Sequence, residues 1–314
     1  MRIVFMGTPD FAVPSLEALL KSDDEVVGVV TQPDRPKGRG QALTPSPVKL
    51  IAQREDIPIL QPMKMKDPDF LAALAAWKPD LIAVTAFGRI LPPVILSLPP
   101  KGCINVHGSL LPKYRGAGPI QWAIINGETE SGITTMLMDE GMDTGAMLMK
   151  ERIAIAPDDT AGSLSFKLAE VGGRLLVETL NRLKAGQLVP QAQDHTHATL
   201  APLLKKEDGV IDWGWPASAI ANRIRGLTPW PGAYTFLGED RWVLYQPVAL
   251  PEESREPPGR IIAVTTNAIH VATGEGILAV KELQPANSRR MTVAQYLAGH
   301  SLHAGLQLSR HASP

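Results

Sequence analysis

The chain has one cysteine, Cys103, so it can form neither an internal disulfide nor a cysteine-based zinc cluster. That scarcity fits a reducing compartment. An excess of one charge is missing too: 31 Lys and Arg stand against 32 Asp and Glu, for a net charge of −1. Contact with a polyanion must then come from local basic patches and not from the overall field. No apolar run approaches the roughly 18 residues of a membrane span. Arg2–Met6 already reads as a strand, so no signal or transit peptide is expected, and a cytoplasmic location is. The Gly-x-Gly-x-x-Gly fingerprint of dinucleotide sites is absent from the opening turn. Gly7 is the only glycine before Gly28, which leaves a pyrophosphate without a backbone cradle. There is no internal repeat and no low-complexity segment. What is present is an ordinary globular composition, 44% hydrophobic and 20% charged, on 314 residues. That length suggests two domains.

Up to residue 186, short apolar runs alternate with helical periodicity. Strands are expected at Arg2–Met6, Val26–Thr31, Pro58–Leu60, Leu81–Thr85, Cys103–His107, Ile133–Met138 and Ala146–Ile155. Helices are expected between them, the last capped by Asp158 or Asp159 and stopped at Gly186. This is the pattern of an α/β fold, a Rossmann-like open sheet with helices on both faces. The stretch 32–47 has no periodicity and reads as a long, functional loop in which Arg35, Lys37 and Arg39 can reach phosphates. Residues 187–205 are polar and read as a linker. From 206 to 314 a helix at Ala217–Arg225 precedes about five short strands split by turn signals, which predicts a smaller C-terminal β-barrel, OB-like, closed by a helix at Thr292–Leu297.

The most informative stretch is 102–119. Cys103-Ile104-Asn105-Val106-His107 alternates, so Asn105 and His107 share one face of a strand and Ile104 and Val106 the other. Gly108, Pro112, Gly116 and Gly118 make the residues after this strand a loop. An amide and an imidazole thus stand together at the C-terminal end of a core strand, where open α/β sheets place their ligands. Cys103 shares that face, but a free cysteine there is expected to be a small buried apolar group.

Asn105-x-His107-x-Ser109-Leu110-Leu111-Pro112, then Tyr114-Arg115-Gly116, then a second loop Asp139-Glu140-Gly141-Met142-Asp143-Thr144-Gly145, resembles the signature of the folate-dependent formyltransferases. The resemblance implies that 10-formyltetrahydrofolate is the donor and that Asn105, His107 and Asp143 are the catalytic trio. It also implies that Ser109, Leu110, Leu111 and Pro112 belong to the folate site, and that Arg89, Ile90, Leu91 and the backbone from Asp139 to Asp143 line a pterin pocket. Within the family the resemblance is strongest to members whose acceptor is initiator methionyl-tRNA, and it covers nearly the whole chain. Phe5-x-Gly-Thr-Pro-Asp-Phe-Ala and Thr31-Gln-Pro-Asp-Arg-Pro-x-Gly-Arg-Gly40 carry it. In those members the inserted loop, here with Arg39, engages the tRNA acceptor end, and the barrel offers a basic face. Lys205, Lys206, Arg223, Arg225, Arg289 and Arg290 are candidates for that face. A monomer is expected. The competing acceptor is an amino-sugar nucleotide, whose enzymes share the signature but typically lack the 32–47 insertion.

Acyl transfer to an amine creates a tetrahedral oxyanion, which needs donors about 3 Å away. The Asn105 amide and a protonated His107 can donate, and Asp143 can stabilise the charged ring and relay the proton that the amine loses. His195-x-His197 has no third ligand within reach and reads as polar surface, so no metal site is expected. Trp213, Trp215 and Trp230 could stack on bases, but tryptophans near prolines more often pack, and packing is expected here.

Overall fold

The computed structural model describes residues 1–37 and 42–312. The chain forms two compact units. The first contains residues 1–119, 131–153 and 165–202, and the second contains 120–130, 154–164 and 203–314.

In chain order the elements are β1 (Arg2–Gly7), α1 (Val13–Leu20), β2 (Glu25–Val30), β3 (Arg35–Lys37), β4 (Ala42–Thr44), α2 (Pro47–Arg54), β5 (Ile59–Leu60) and α3 (Pro68–Ala76). Next come β6 (Leu81–Thr85), α4 (Pro93–Leu96), β7 (Cys103–His107), α5 (Pro119–Ile125), β8 (Glu130–Leu137), β9 (Met147–Ala154) and α6 (Ala161–Lys184). The remainder is α7 (Ala217–Gly226), β10 (Tyr234–Leu237), β11 (Asp240–Leu250), β12 (Ile261–Val264), β13 (Ile269–Ala272), β14 (Ile277–Pro285), β15 (Met291–Thr292), α8 (Val293–Leu297) and β16 (Leu308–Ser309).

The first unit is built on a seven-stranded sheet in the order β5-β2-β1-β6-β7-β8-β9. Strands β5, β2, β1, β6 and β7 run parallel, and β8 returns antiparallel to β7. Alternation along the strands sorts the side chains. Val4, Met6, Ile82, Val84 and Cys103 meet Phe70 and Leu74 of α3 and Ile95 of α4 in one apolar cluster. Val106, on the opposite face of β7, meets α6 at Gly172. The helix starts obey local chemistry. Ser46 accepts from the Lys49 N–H ahead of α2, and Asp67 accepts from the N–H groups of Asp69 and Phe70 ahead of α3, each with proline at the first helical position.

The second unit is an antiparallel sheet in the order β12-β13-β14-β11-β10-β16. Its two ends are tied together: Ile261 N–H donates to the Leu306 carbonyl, Gly305 N–H to that of Ile261, and Leu308 N–H to that of Gly259. The sheet therefore curls into a barrel, and Ile220 and Ile224 of α7 pack with Trp242, Leu244 and Leu283 in its core.

Three local expectations are corrected. The stretch 32–47 is not loop throughout: β3 and β4 pair as an antiparallel hairpin, with Arg35 opposite Thr44. Runs of three residues are too short for alternation to register in sequence. Residues 38–41, Arg39 among them, lie outside the described residues. The cap ahead of α6 is Thr160, which exchanges hydrogen bonds with Ser163, while Asp159 accepts from the Ala156 N–H. Only Trp213 of the three tryptophans is core, its indole N–H donating to Thr235; Trp215 and Trp230 are exposed.

Candidate active site

Strand β7 delivers Asn105 and His107 to the C-terminal edge of the sheet, held in register by Val84 of β6 opposite Asn105 and by Thr134 of β8 opposite His107. The loop after β7 is tied back to the sheet. Thr134 Oγ1 donates to the Ser109 carbonyl at 2.7 Å and accepts from the Leu111 N–H at 3.1 Å, and Ser109 Oγ donates to the Lys113 carbonyl at 2.6 Å. Tyr114 then takes a left-handed φ of 61° and turns its carbonyl onto His107 Nε2, 2.9 Å away.

A carbonyl only accepts, so Nε2 carries the ring proton and Nδ1 is the open nitrogen. Nδ1 faces Asp143 Oδ1 at 3.6 Å, and Asn105 Nδ2 lies 3.4 Å from the same oxygen. The other carboxylate oxygen of Asp143 accepts from the Gly116 N–H at 2.9 Å. Asp143 itself has a φ of 54°, which an L-residue adopts only where its surroundings hold it. Gly116, at φ 117°, can approach because a Cβ there would sit 2.7 Å from the Ala201 carbonyl oxygen. His107 is 5% exposed and the Asp143 side chain 16%, so the pair is nearly dry but reachable.

The structure therefore brings together the three residues singled out in sequence. The Nε2 side of the His107 ring is engaged by the Tyr114 carbonyl, and the Nδ1 side is the one that faces Asp143 and Asn105. Cys103 Sγ is turned to the carbonyls of Ile95 and Leu96, and burial pushes its thiol up to about 12. It is no nucleophile.

Residues 1–180 match the family model described as formyl transferase, and residues 203–301 match that of the formyl transferase C-terminal domain. The methionyl-tRNA formyltransferase of Desulfotalea psychrophila is 54% identical over 97% of this chain and 94% of its own. That of Trichlorobacter lovleyi is 53% identical over 99% of this chain and 98% of its own. The chain belongs to the methionyl-tRNA formyltransferase family. Among solved structures, WlaRD, a sugar 3N-formyl transferase crystallised in the presence of dTDP and 5-N-formyl-THF, shares the fold with a TM-score of 0.68 at 19% identity, covering 92% of this chain and 99% of that one.

In this formyltransferase the residues expected at the folate are dispersed. Ile90 and Leu91 line a pocket of about 360 Å³ with Met65, Lys66, Pro92 and Glu140. Arg89 is turned away, donating to the Met63 carbonyl at 2.7 Å. Asp139 closes the second loop by accepting from the Gly141 N–H and from Thr144 Oγ1. Ser109 and Leu111 are buried, Leu111 against Met136 and Met147, while Leu110 and Pro112 are half-buried. Glu140 lies in the Asp139–Asp143 stretch expected there, whereas Met65 and Lys66 escape a sequence reading because nothing in their spacing marks them.

Of the basic residues expected at tRNA, Arg35 is exposed and donates to Gln32 Oε1, and Lys37 lies in β3. Lys205, Lys206 and Arg289 are exposed. Arg223 donates to the Asp208 carbonyl and Arg225 to that of Asp159, so both guanidiniums are engaged inside the second unit, where burial lowers their pKa. Arg290 pairs with Glu282 over the Tyr245 ring. Among the described residues no helix is long and apolar enough to cross a membrane.

Proposed function

We propose that this chain transfers the formyl group of 10-formyltetrahydrofolate to the free amino group of methionine on initiator methionyl-tRNA, giving N-formylmethionyl-tRNA, and that it works in the cytoplasm as a monomer. The supporting observation is the meeting of Asn105, His107 and Asp143 within 3.6 Å, at the end of a core strand. In this reading the methionine nitrogen attacks the formyl carbon. Asn105 Nδ2 donates to the oxyanion as the carbonyl opens. The new bond makes the nitrogen cationic, and the His107 Nδ1–Asp143 edge takes its proton. Collapse breaks the bond to N10 of the folate, and the same edge returns a proton to that nitrogen. No covalent enzyme intermediate is needed, because a neutral amine is itself the nucleophile.

The pterin is assigned to the pocket at Ile90 and Leu91, a small apolar slot beside Glu140. Phosphate contacts are assigned to Arg35, Lys37 and Arg39 of the insertion and to Lys205, Lys206 and Arg289. The test is transfer of radiolabelled formyl from 10-formyltetrahydrofolate to charged initiator tRNA, beside UDP-aminosugars. Label should appear on the tRNA alone. Label on the sugar alone would replace this acceptor.

A further inference from the structure

Residues 191–201 run as a strap across the two loops that make the site. At one end the strap exchanges backbone hydrogen bonds with β9: Met147 N–H donates to the Gln191 carbonyl and Gln191 N–H to that of Met147, both at 2.8 Å. At the other end it pairs with the loop after β7. The Arg115 N–H donates to the Thr199 carbonyl at 2.8 Å, the Tyr114 N–H to Thr199 Oγ1 at 2.8 Å, and the Ala201 N–H to the Arg115 carbonyl at 2.7 Å. Between these anchors Gln193 is turned inward and is 5% exposed. Its amide nitrogen donates twice, to the Asp143 carbonyl and to the Gly145 carbonyl, each at 2.8 Å. Its amide oxygen accepts from Nε and Nη2 of the buried Arg115 at 3.1 and 2.7 Å, and Arg115 Nη2 also meets His195 Nδ1 at 3.2 Å.

The two contacts of Gln193 are different in kind from core packing. One amide holds the backbone on both sides of Thr144, and so the left-handed turn from which the Asp143 carboxylate reaches Asn105, His107 and the Gly116 N–H. The other side of that amide is fixed by Arg115, next in sequence to Tyr114 and Gly116, whose carbonyl and N–H hold the ring and the carboxylate. We infer that Gln193, oriented by Arg115, is a positioning residue for the transfer reaction: it sets the distance between the Asp143 carboxylate and the His107 ring by locking the Asp143 loop to the loop after β7. The inference rests on the assignment of Asp143 to catalysis.

The test is a double-mutant cycle on the full chain. Gln193→Met keeps the length of the side chain and removes both donors and the acceptor, and Gln193→Glu keeps the acceptor for Arg115 but removes the donors. Both should lower kcat for formyl transfer by about 10- to 100-fold, the size expected of a misplaced catalytic group, with KM for tRNA changed less than about 3-fold. In the Asp143→Asn background Gln193→Met should lower kcat no further. Melting curves report how much of each variant is folded, and kcat is taken per folded enzyme. A Gln193→Met enzyme within about 2-fold of the parent, or one whose loss multiplies with that of Asp143→Asn, overturns the positioning role while leaving the catalytic assignment standing. An Asp143→Asn enzyme with parental kcat removes both.

Discussion

At the scale of single residues, the site is decided by which lone pairs are already spoken for. The Tyr114 carbonyl accepts the Nε2–H of His107, which leaves the Nδ1 edge facing the Asp143 carboxylate. Asn105→Ala removes the amide donor, and kcat is expected to fall about 100- to 1000-fold with folate affinity nearly unchanged, measured by single-turnover formyl transfer beside equilibrium binding. Cys103 gives the opposite expectation. Its thiol, pushed up to about 12 by burial, should resist alkylation in the native enzyme at neutral pH and react only on unfolding, as mass spectrometry after iodoacetamide treatment would report. Much of this scale is legible in sequence. A period of two places Asn105 and His107 side by side, and the spaced motif brings in Asp143. The role of Tyr114 is not legible, because a backbone carbonyl carries no side-chain signature. Gln193 is hidden for another reason: its neighbours Gln191, Asp194 and His195 give the segment the composition of a solvated connector, and only tertiary packing turns one amide inward.

At the scale of elements, α6 approaches the sheet closely at Gly172 and helix α1 closely at Gly173, because neither residue has side-chain thickness there. A Cβ on Gly173 would lie 2.6 Å from the Pro14 carbonyl oxygen, a backbone atom at the start of α1 that cannot rotate aside. Gly173→Ala should therefore destabilise the protein by about 1–3 kcal/mol despite alanine's better helix propensity, a drop visible as a lower Tm in calorimetry. Elements with a long periodic pattern, such as α6 and the buried strands β6 and β7, declare themselves in sequence. The hairpin of β3 and β4 does not, since each strand has three residues and a proline or a small side chain interrupts the pattern.

At the scale of the whole molecule, Asp24 joins distant parts of the first unit. Its carboxylate accepts from the N-terminal ammonium at 2.8 Å and from Lys184, at the end of α6, at 2.9 Å. Burial alone would push the Asp24 carboxyl up; the two cationic donors outweigh it and hold it below the ordinary carboxylate value. The stabilisation is thus complete above the unfolded pKa of about 3.9 and is lost as pH falls through the lower folded value. Asp24→Asn should lower Tm at pH 7, and the gap to the parent should close as pH drops below about 3.9, in thermal scans across pH. The change of rhythm near residue 206 falls close to the start of the segment 203–314, whereas the membership of 120–130 and 154–164 in the second unit and of 187–202 in the first depends on contacts far apart in sequence.

The strap across the site comes late in the chain. Gln193 leaves the ribosome 50 residues after Asp143, a lag of roughly 3–10 s at ordinary elongation speeds. On the positioning role inferred for Gln193, a nascent chain in that interval carries Asn105, His107 and Asp143 without the strap, and their spacing is set only once residues 191–201 have emerged and folded back.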